Sequence, residues 1–251
     1  MQQVCHILPL NGYLHRIEKH PTGECPWCPG ERESQMHFHC ECNEFESNRT
    51  GAHHAIARAV ISSLREHNPK GWKFWYETPF SQLPFTFEWE SAEEEAEQQN
   101  RRPDGVAYNE IERTVIFLEF SRPMDQERNL YAAQHRKSTQ YEAAERALRR
   151  AERRTPYLQR AIRDASSIPV VVGVRGSVLY DQIFPALSVF KLSKRRTDKV
   201  IAAGIRAAIT AASEMIAART AALPSAPHRG RQAYRARPHR DNGWRADRGV
   251  T

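Results

Sequence analysis

Arg102-Pro103-Asp104-Gly105-Val106-Ala107-Tyr108-Asn109-Glu110, followed at once by Ile111-Glu112-Arg113 and then Thr114-Val115-Ile116-Phe117-Leu118-Glu119-Phe120-Ser121, is the stretch on which the fold turns. It reads as two short strands joined through a turn at Asn109-Glu110, the first opening on an acid and the second carrying an acid among Val, Ile, Phe and Leu. An ionised side chain in such company loses its solvation unless something compensates it. One compensation is a divalent cation gripped by both carboxylates, and hydrolysis of phosphodiesters is a common use of that arrangement. Asp104 and Glu119 are therefore read as ligands of Mg2+, with the backbone carbonyl of Phe120 as a third. The other reading of the same residues is a Pro-Asp turn and a glutamate at a strand edge near water.

Working outward, residues 51–67 carry Ile56, Val60, Ile61 and Leu64 on one helical face, and Asn68-Pro69-Lys70-Gly71 stops that helix. Residues 72–78 alternate like a strand. Residues 79–100 read as an exposed loop or short hairpin ending in the solvated acidic run Glu93-Glu94-Glu95 and Glu97. After the two acid-bearing strands, the pattern predicts a long helix over 126–163, a buried strand over 168–174 ended by Gly176, a helix near 178–191 and a last Ala- and Ile-rich helix over 195–222. Three successive strands, a helical crossover and a fourth strand make an α/β fold with a mixed sheet flanked by helices.

A lysine near two such acids stabilises an attacking hydroxide or the charge built up on phosphorus. Two residues after Glu119, where a lysine on the same strand would stand, is Ser121. The nearest candidate is Lys137 on the predicted long helix, in a stripe with Leu130, Tyr141, Ala144 and Leu148 that is expected to face the sheet. Lys137 reaches the strand ends in this reading, with Tyr141 one turn away. In the competing one, its stem merely lies along the edge of an apolar face.

Four of the five cysteines fall within residues 25–42. Cys25, Cys28, His37 and Cys42 form C-x2-C-x8-H-x4-C, a tight knuckle and a distant pair that can close a tetrahedron of soft and borderline ligands around Zn2+. Closure through Cys40 with His37 or His39 is the alternative. A short segment with little else to make a core needs such a staple. His53 and His54 have no partner at a convincing spacing and receive no role.

The whole chain of 251 residues has a net charge of +7 and 40% hydrophobic residues, with room for one good-sized domain and appendages. Apolar stretches such as 168–174 are far too short to cross a bilayer, and the N-terminus lacks the build of a signal peptide. Membrane and secretory roles are not expected, and the cysteines read as thiols or metal ligands rather than disulfides. Residues 223–251 hold seven Arg and two Asp among Pro and Gly, which marks a disordered basic tail suited to phosphate backbones or serving only solubility.

Taken in order, these pieces resemble the C-terminal region of site-specific non-LTR retrotransposon polyproteins, in which a CCHC zinc knuckle and a restriction-like endonuclease of the PD-(D/E)xK superfamily follow a reverse transcriptase. Residues 10–17 look like the end of the polymerase region, residues 1–24 being its remnant. Cys25, Cys28, His37 and Cys42 match the knuckle, over 25–50. Arg102-Pro103-Asp104, residues 117–125, Lys137 with Tyr141, and residues 169–178 match the endonuclease, over 51–192. The helix 193–222 and the tail from 223 follow it. In that family the lysine is likewise displaced onto the helix. Glu119 stands where the family usually has Asp, and Arg175 where a small or apolar residue is expected.

The resemblance implies a restriction-endonuclease-like sheet and Mg2+-dependent nicking of target DNA, which primes reverse transcription. Asp104 and Glu119 would bind the metal, Lys137 would assist attack, and Tyr141 would support the site. Structural Zn2+, DNA and element RNA as ligands, a polymerase region of the same polyprotein as partner, and a nuclear location are implied with it. A non-catalytic zinc-dependent nucleic-acid-binding module, or a decayed fragment of the element, is the alternative.

Overall fold

The structure is a computed structural model that describes Leu8 and residues 10–67, 69–154 and 162–223. The basic tail from residue 224 on, most of the first nine residues, and residues 155–161 of the predicted long helix lie outside the described residues. In chain order come α1 (Asn11–Arg16), α2 (Glu46–His67), β1 (Trp72–Tyr76), α3 (Ala92–Gln98), β2 (Gly105–Asn109), β3 (Thr114–Ser121), α4 (Glu127–Ser138), α5 (Glu142–Arg154), β4 (Asp164–Val171), α6 (Tyr180–Leu187) and α7 (Lys194–Ala222).

The four strands form one mixed sheet in the order β1-β2-β3-β4. β1 pairs antiparallel with β2 and β2 with β3, while β3 pairs parallel with β4, so the expected mixed α/β arrangement is present. The hairpin between β2 and β3 is tied by Asn109, whose side-chain Oδ1 accepts from the N–H groups of Ile111 and Glu112 at 3.0 Å each. The parallel pairing needs a long crossover, which α4 and α5 supply. Pro169 is tolerated opposite Glu119 because β4 pairs only with β3, so its missing N–H breaks no second ladder.

Strand periodicity sorts β3 into two faces. Ile116, Leu118 and Phe120 pack with Ile56, Val60, Ile61 and Leu64 of α2, with Ile183 and Leu187 of α6, and with Val200, Ile201 and Ala208 of α7. Val115 and Phe117 point the other way, against Tyr141 in the turn between α4 and α5, Ala144 and Leu148 of α5, and Phe80 and Leu83. Glu119, two residues after Phe117, shares that second face. Gly105 lets α2 pack closely against the start of β2, since a Cβ there would lie 2.8 Å from Ile61 Cδ1 and 3.2 Å from Leu118 Cβ.

Several boundaries differ from the sequence reading. α2 begins at Glu46 rather than near residue 51, running straight through Gly51, which costs roughly 1 kcal/mol relative to Ala. Burial of Phe45 in a small satellite core anchors that first turn. The long helix expected over 126–163 is broken at residues 139–141, where Ser138 Oγ donates to the carbonyl of His135 at 2.8 Å and Thr139 Oγ1 to that of Arg136 at 3.5 Å. Those side-chain bonds satisfy the last carbonyls of α4 and end it. β4 starts at Asp164, four residues before the predicted strand.

The largest correction concerns residues 79–100, which are not an exposed loop or hairpin. Phe80 and Leu83 are buried, and Phe85, Phe87 and Trp89 pack beside them on the sheet. The acidic run is the helix α3, capped by Ser91, whose Oγ accepts from Glu94 N–H at 3.2 Å, while Glu94 Oε2 accepts from Glu90 N–H at 2.6 Å. Of its charges Glu94 is met by Arg150 of α5 at 3.7 Å; Arg150 also contacts Glu90 at 3.4 Å and Arg154 pairs with Glu88, both in the segment just before α3.

α7 lies along α2, where Gly204 admits Val60 closely, and its far end reaches the cysteine-rich segment. Met215 enters the core formed by Leu10, Cys25, Phe38, Cys42 and Phe45. Glu33, fully buried, receives Arg219 Nε at 2.7 Å and a second guanidinium nitrogen at 2.8 Å, together with the N–H of Asn11 at 2.5 Å. By length and composition alone α7 passes for a bilayer-crossing helix, whereas the apolar stretches read from sequence are too short to cross; its most apolar window is 39% buried, and the helix packs against α2 and the cysteine-rich core.

Candidate metal centre and acidic site

The two acids singled out from sequence meet at one end of the sheet. Pro103 biases the chain away from helix, and Asp104 sits in the bend just before β2. Its Oδ2 accepts from the N–H of Phe120 at 2.9 Å, tying the start of β2 to the end of β3. Glu119 is fully buried on the crossover face of β3. Lys137, in the last turn of α4, brings Nζ to 3.0 Å from Glu119 Oε2 and 3.7 Å from Asp104 Oδ2. One ammonium group thus touches both carboxylates, and the helix break that follows it turns Tyr141 into the second core.

The electrostatics separate the two acids. Burial pushes Glu119 up to about 7, with the neighbouring Asp104 charge adding to the rise and Lys137 opposing it. Burial also raises Asp104, but the hydrogen bond and charge of His53, with Lys137 and the Phe120 N–H, outweigh it and hold Asp104 below its ordinary value. Glu119 Oε1 is buried with no hydrogen-bond partner among the described residues. Two hard oxygen donors, one of them orphaned in a dry setting, suit a divalent cation better than they suit an empty core.

Tyr141 is placed beside the acids without bonding to either. Its ring packs on Phe80 and Phe117 at 5.6 and 5.5 Å, Arg101 lies over it at 5.6 Å, and its hydroxyl donates to the carbonyl of Arg102 at 3.5 Å. Burial, and then the charges of Glu119 and Asp104, push that hydroxyl far up, so it stays a neutral donor.

The sequence reading missed His53. Its Nε2 lies 3.1 Å from Asp104 Oδ1, so Asp104 is held from α2 on one side and from β3 on the other. Behind it, His54 Nδ1 lies 2.9 Å from both the Tyr76 hydroxyl and Glu77 Oε1. A signal was present: His53 precedes Ala57, Val60 and Leu64 by four, seven and eleven residues, which is the buried stripe of α2.

The cysteine-rich segment converges as its spacing suggests. The ligand atoms of Cys25, Cys28, His37 and Cys42 all lie within 4.8 Å of one another, with Cys42 Sγ 3.8 Å from Cys25 Sγ and 3.7 Å from Cys28 Sγ. Two thiolates about 2.3 Å from one tetrahedral ion stand at about that separation. His37 Nε2 is buried with no hydrogen-bond partner among the described residues. Gly30 turns the knuckle at φ +81°, the Cys25 N–H donates to the Glu31 carbonyl at 2.8 Å, and a π-helical turn, His37–Glu41, carries His37 toward Cys42. Of the two closures, the geometry groups the one through His37 and Cys42: His39 and Cys40 are outside that group, near Arg122 and Asp125, where burial and then Arg122 and Arg175 lower His39 to about 4. The donor set fits a structural zinc ion. No protein-family model matches the chain, and no curated protein matches it either.

Proposed function

We propose that this chain is a divalent-metal-dependent DNA endonuclease with a restriction-like sheet and a structural zinc module. The observation that carries the reading is the convergence of Asp104, Glu119 and Lys137, from a bend, a strand and a helix, into one set of contacts at 3.0 and 3.7 Å. Packing alone gives little reason to bury a glutamate fully beside a second acid and leave one of its oxygens unpartnered.

Asp104 and Glu119 would hold the ion, and Mg2+ is the cation that their oxygen donors favour. When bound, such an ion supplies Lewis acidity toward a phosphodiester. Lys137 would then exchange its contact with the acids for one with the attacking oxygen or the charged phosphoryl group, offsetting the negative charge that grows during displacement. His53 and the Phe120 N–H keep Asp104 ionised and aimed; Tyr141 seals the crossover side against water.

The resemblance to non-LTR retrotransposon endonucleases extends the proposal to nicking of target DNA for reverse transcription, with element RNA and a polymerase region as partners in a nuclear setting. A second reading, zinc-dependent nucleic-acid binding without catalysis, is favoured by the convergence of the four zinc ligands, which is independent of the acids. Conversion of supercoiled plasmid to open circles with added Mg2+ tests the choice. The wild-type chain should nick, and Asp104→Ala, folded and zinc-loaded, should not; nicking that persists in Asp104→Ala rules this site out.

A further inference from the structure

Where the zinc module meets the carboxyl ends of β3 and β4, three arginines stand against a single buried carboxylate, that of Asp125. Arg122 follows β3 directly, three residues beyond Glu119 and so roughly 10 Å along the extended chain. It is partly exposed, its Nε is buried with no partner, and its one bonded acceptor among the described residues is the sulfur of Met215 at 3.6 Å. Met215 belongs to the zinc-module core with Cys42, and the carbonyl of Cys42 accepts from Arg49. Among the described residues neither Arg49 nor Arg122 makes an ion pair.

The one acid inside this group is already used. Asp125, almost fully buried, accepts from the N–H of Arg175 at 3.0 and 3.1 Å, from the N–H of Ser177 at 3.1 Å and from Arg175 Nε at 3.2 Å. Gly173 leaves room for it, since a Cβ there would lie 2.4 Å from Asp125 Oδ1. Asp125 thus locks the loop after β4 that carries the half-exposed Arg175, and the charges of Arg175 and Arg122 both reach His39. Close by, His39 is buried with Nδ1 unpartnered among the described residues. Glu41, the other acid near Cys40, is exposed and makes no bond to these arginines among the described residues.

We infer that Arg49, Arg122 and Arg175 form a cradle for the phosphodiester backbone of the nucleic acid, one to two nucleotides from the bond at Asp104 and Glu119. This rests on the nuclease reading for its placement, though not for its chemistry. Arg49 and Arg122 pair with no carboxylate among the described residues, and Arg175 gives only Nε to Asp125, so guanidinium N–H groups are left to bind phosphate oxygens with charge-assisted hydrogen bonds. The cradle positions a strand without reading its bases. The zinc module thereby takes part in binding, because it supplies Arg49 and, through Met215, the support of Arg122.

The cradle is tested by fluorescence anisotropy of a short labelled DNA duplex with the full chain, over a range of KCl concentrations and without added divalent ions. Arg122→Gln should weaken binding and flatten the slope of log affinity against log salt by about 0.9, the loss of one phosphate contact. Arg49→Gln and Arg175→Gln should each do the same, and the triple variant should lose about three such steps. Zinc content and melting temperature should stay at the wild-type level. An unaltered slope in a folded, zinc-loaded Arg122→Gln overturns the cradle; if that variant loses zinc or unfolds, an unaltered slope in Arg49→Gln and Arg175→Gln overturns it instead. Inorganic phosphate that raises the melting temperature through these arginines, with no effect of the variants on duplex binding, also overturns it, in favour of a small-anion site. Duplex binding with the expected slopes but no nicking would remove the nuclease reading and leave the cradle standing.

Discussion

Lys137 and Glu119 are eighteen residues apart in the chain and 3.0 Å apart in the fold, a charged pair in which one partner is fully buried. The lysine is the only group among the described residues that touches both acids of the site. Its loss removes the groups' shared cation and the donor proposed to meet the reacting phosphoryl group. Lys137→Ala should reduce the rate of Mg2+-dependent nicking by about two to three orders of magnitude, the usual cost of deleting one such donor. Single-turnover nicking checks this; a rate within threefold of wild type would exclude Lys137 from the chemistry.

Glu119, raised to about 7 by burial, makes the metal-free protein sensitive to pH in a definite direction. A carboxyl whose folded pKa lies above its unfolded value favours folding while it is protonated. That contribution is complete below about 4.5, the ordinary value, and is lost as pH rises through about 7. Urea unfolding without divalent ions should therefore show falling stability across this window, and Glu119→Gln should flatten the fall. Affinity for Mg2+ by calorimetry should rise with pH up to about 7 and then level, because the ion takes the ionised form.

His53 acts on Asp104 from outside the proposed ligand pair, at 3.1 Å from Oδ1. Partners of this kind orient a ligand, and their removal commonly costs about 10–100-fold in metal affinity or activity. His53→Ala should raise the Mg2+ concentration needed for half-maximal nicking by that order. His53→Asn, which keeps a donor near the same place, should recover part of the loss. Equal Mg2+ requirements in all three proteins would show that His53 merely fills space.

Metal analysis should find one zinc per chain, lost in Cys42→Ser. Removal of zinc should also loosen the far end of α7, because Met215 packs among the ligands' own core. A destabilisation of about 3 kcal/mol would lower the melting temperature by roughly 6–12 °C in a protein of this size. Hydrogen exchange that speeds up around Met215 as well as in the knuckle would support the coupling; exchange confined to the knuckle would refute it.

Glu33 and Arg219 form a buried bidentate pair, 186 residues apart in sequence. Arg219→Met leaves the Glu33 carboxylate with the Asn11 N–H alone, which should cost about 3–5 kcal/mol in urea unfolding. Replacing both residues by apolar ones, Glu33→Met with Arg219→Leu, should restore most of that loss. A single variant as stable as wild type would mean that the pair is solvated in solution.

Local pattern carried much of what is seen. The apolar run around Glu119 reads as a strand and is an inner one, the stripe Ile56, Val60, Ile61 and Leu64 is the buried face of α2, and Cys25, Cys28, His37 and Cys42 stand together as one of their two readings has it. Lys137 was found from the same stripe as Tyr141, although the helix carrying both proved to be two, because side-chain bonds from Ser138 and Thr139 end the first. The aromatic strap over 79–100 is packed rather than exposed: Leu83, Phe85, Phe87 and Trp89 alternate with period two and lay one face on the sheet, although the segment forms no strand.

By itself the sequence determined the four strands and most of the helices, though not their ends or α3, and which residues have the chemistry to hold a metal or share a charge, since these follow from periodicities and spacings within a few turns of chain. Tertiary structure alone decided that His53 meets Asp104, that Arg219 meets Glu33, and that Arg122 meets Met215. Those encounters join residues some fifty to nearly two hundred positions apart. Nothing in the local spacing specifies them; they arise when α2 and α7 bury their apolar faces on the sheet and carry their polar residues with them.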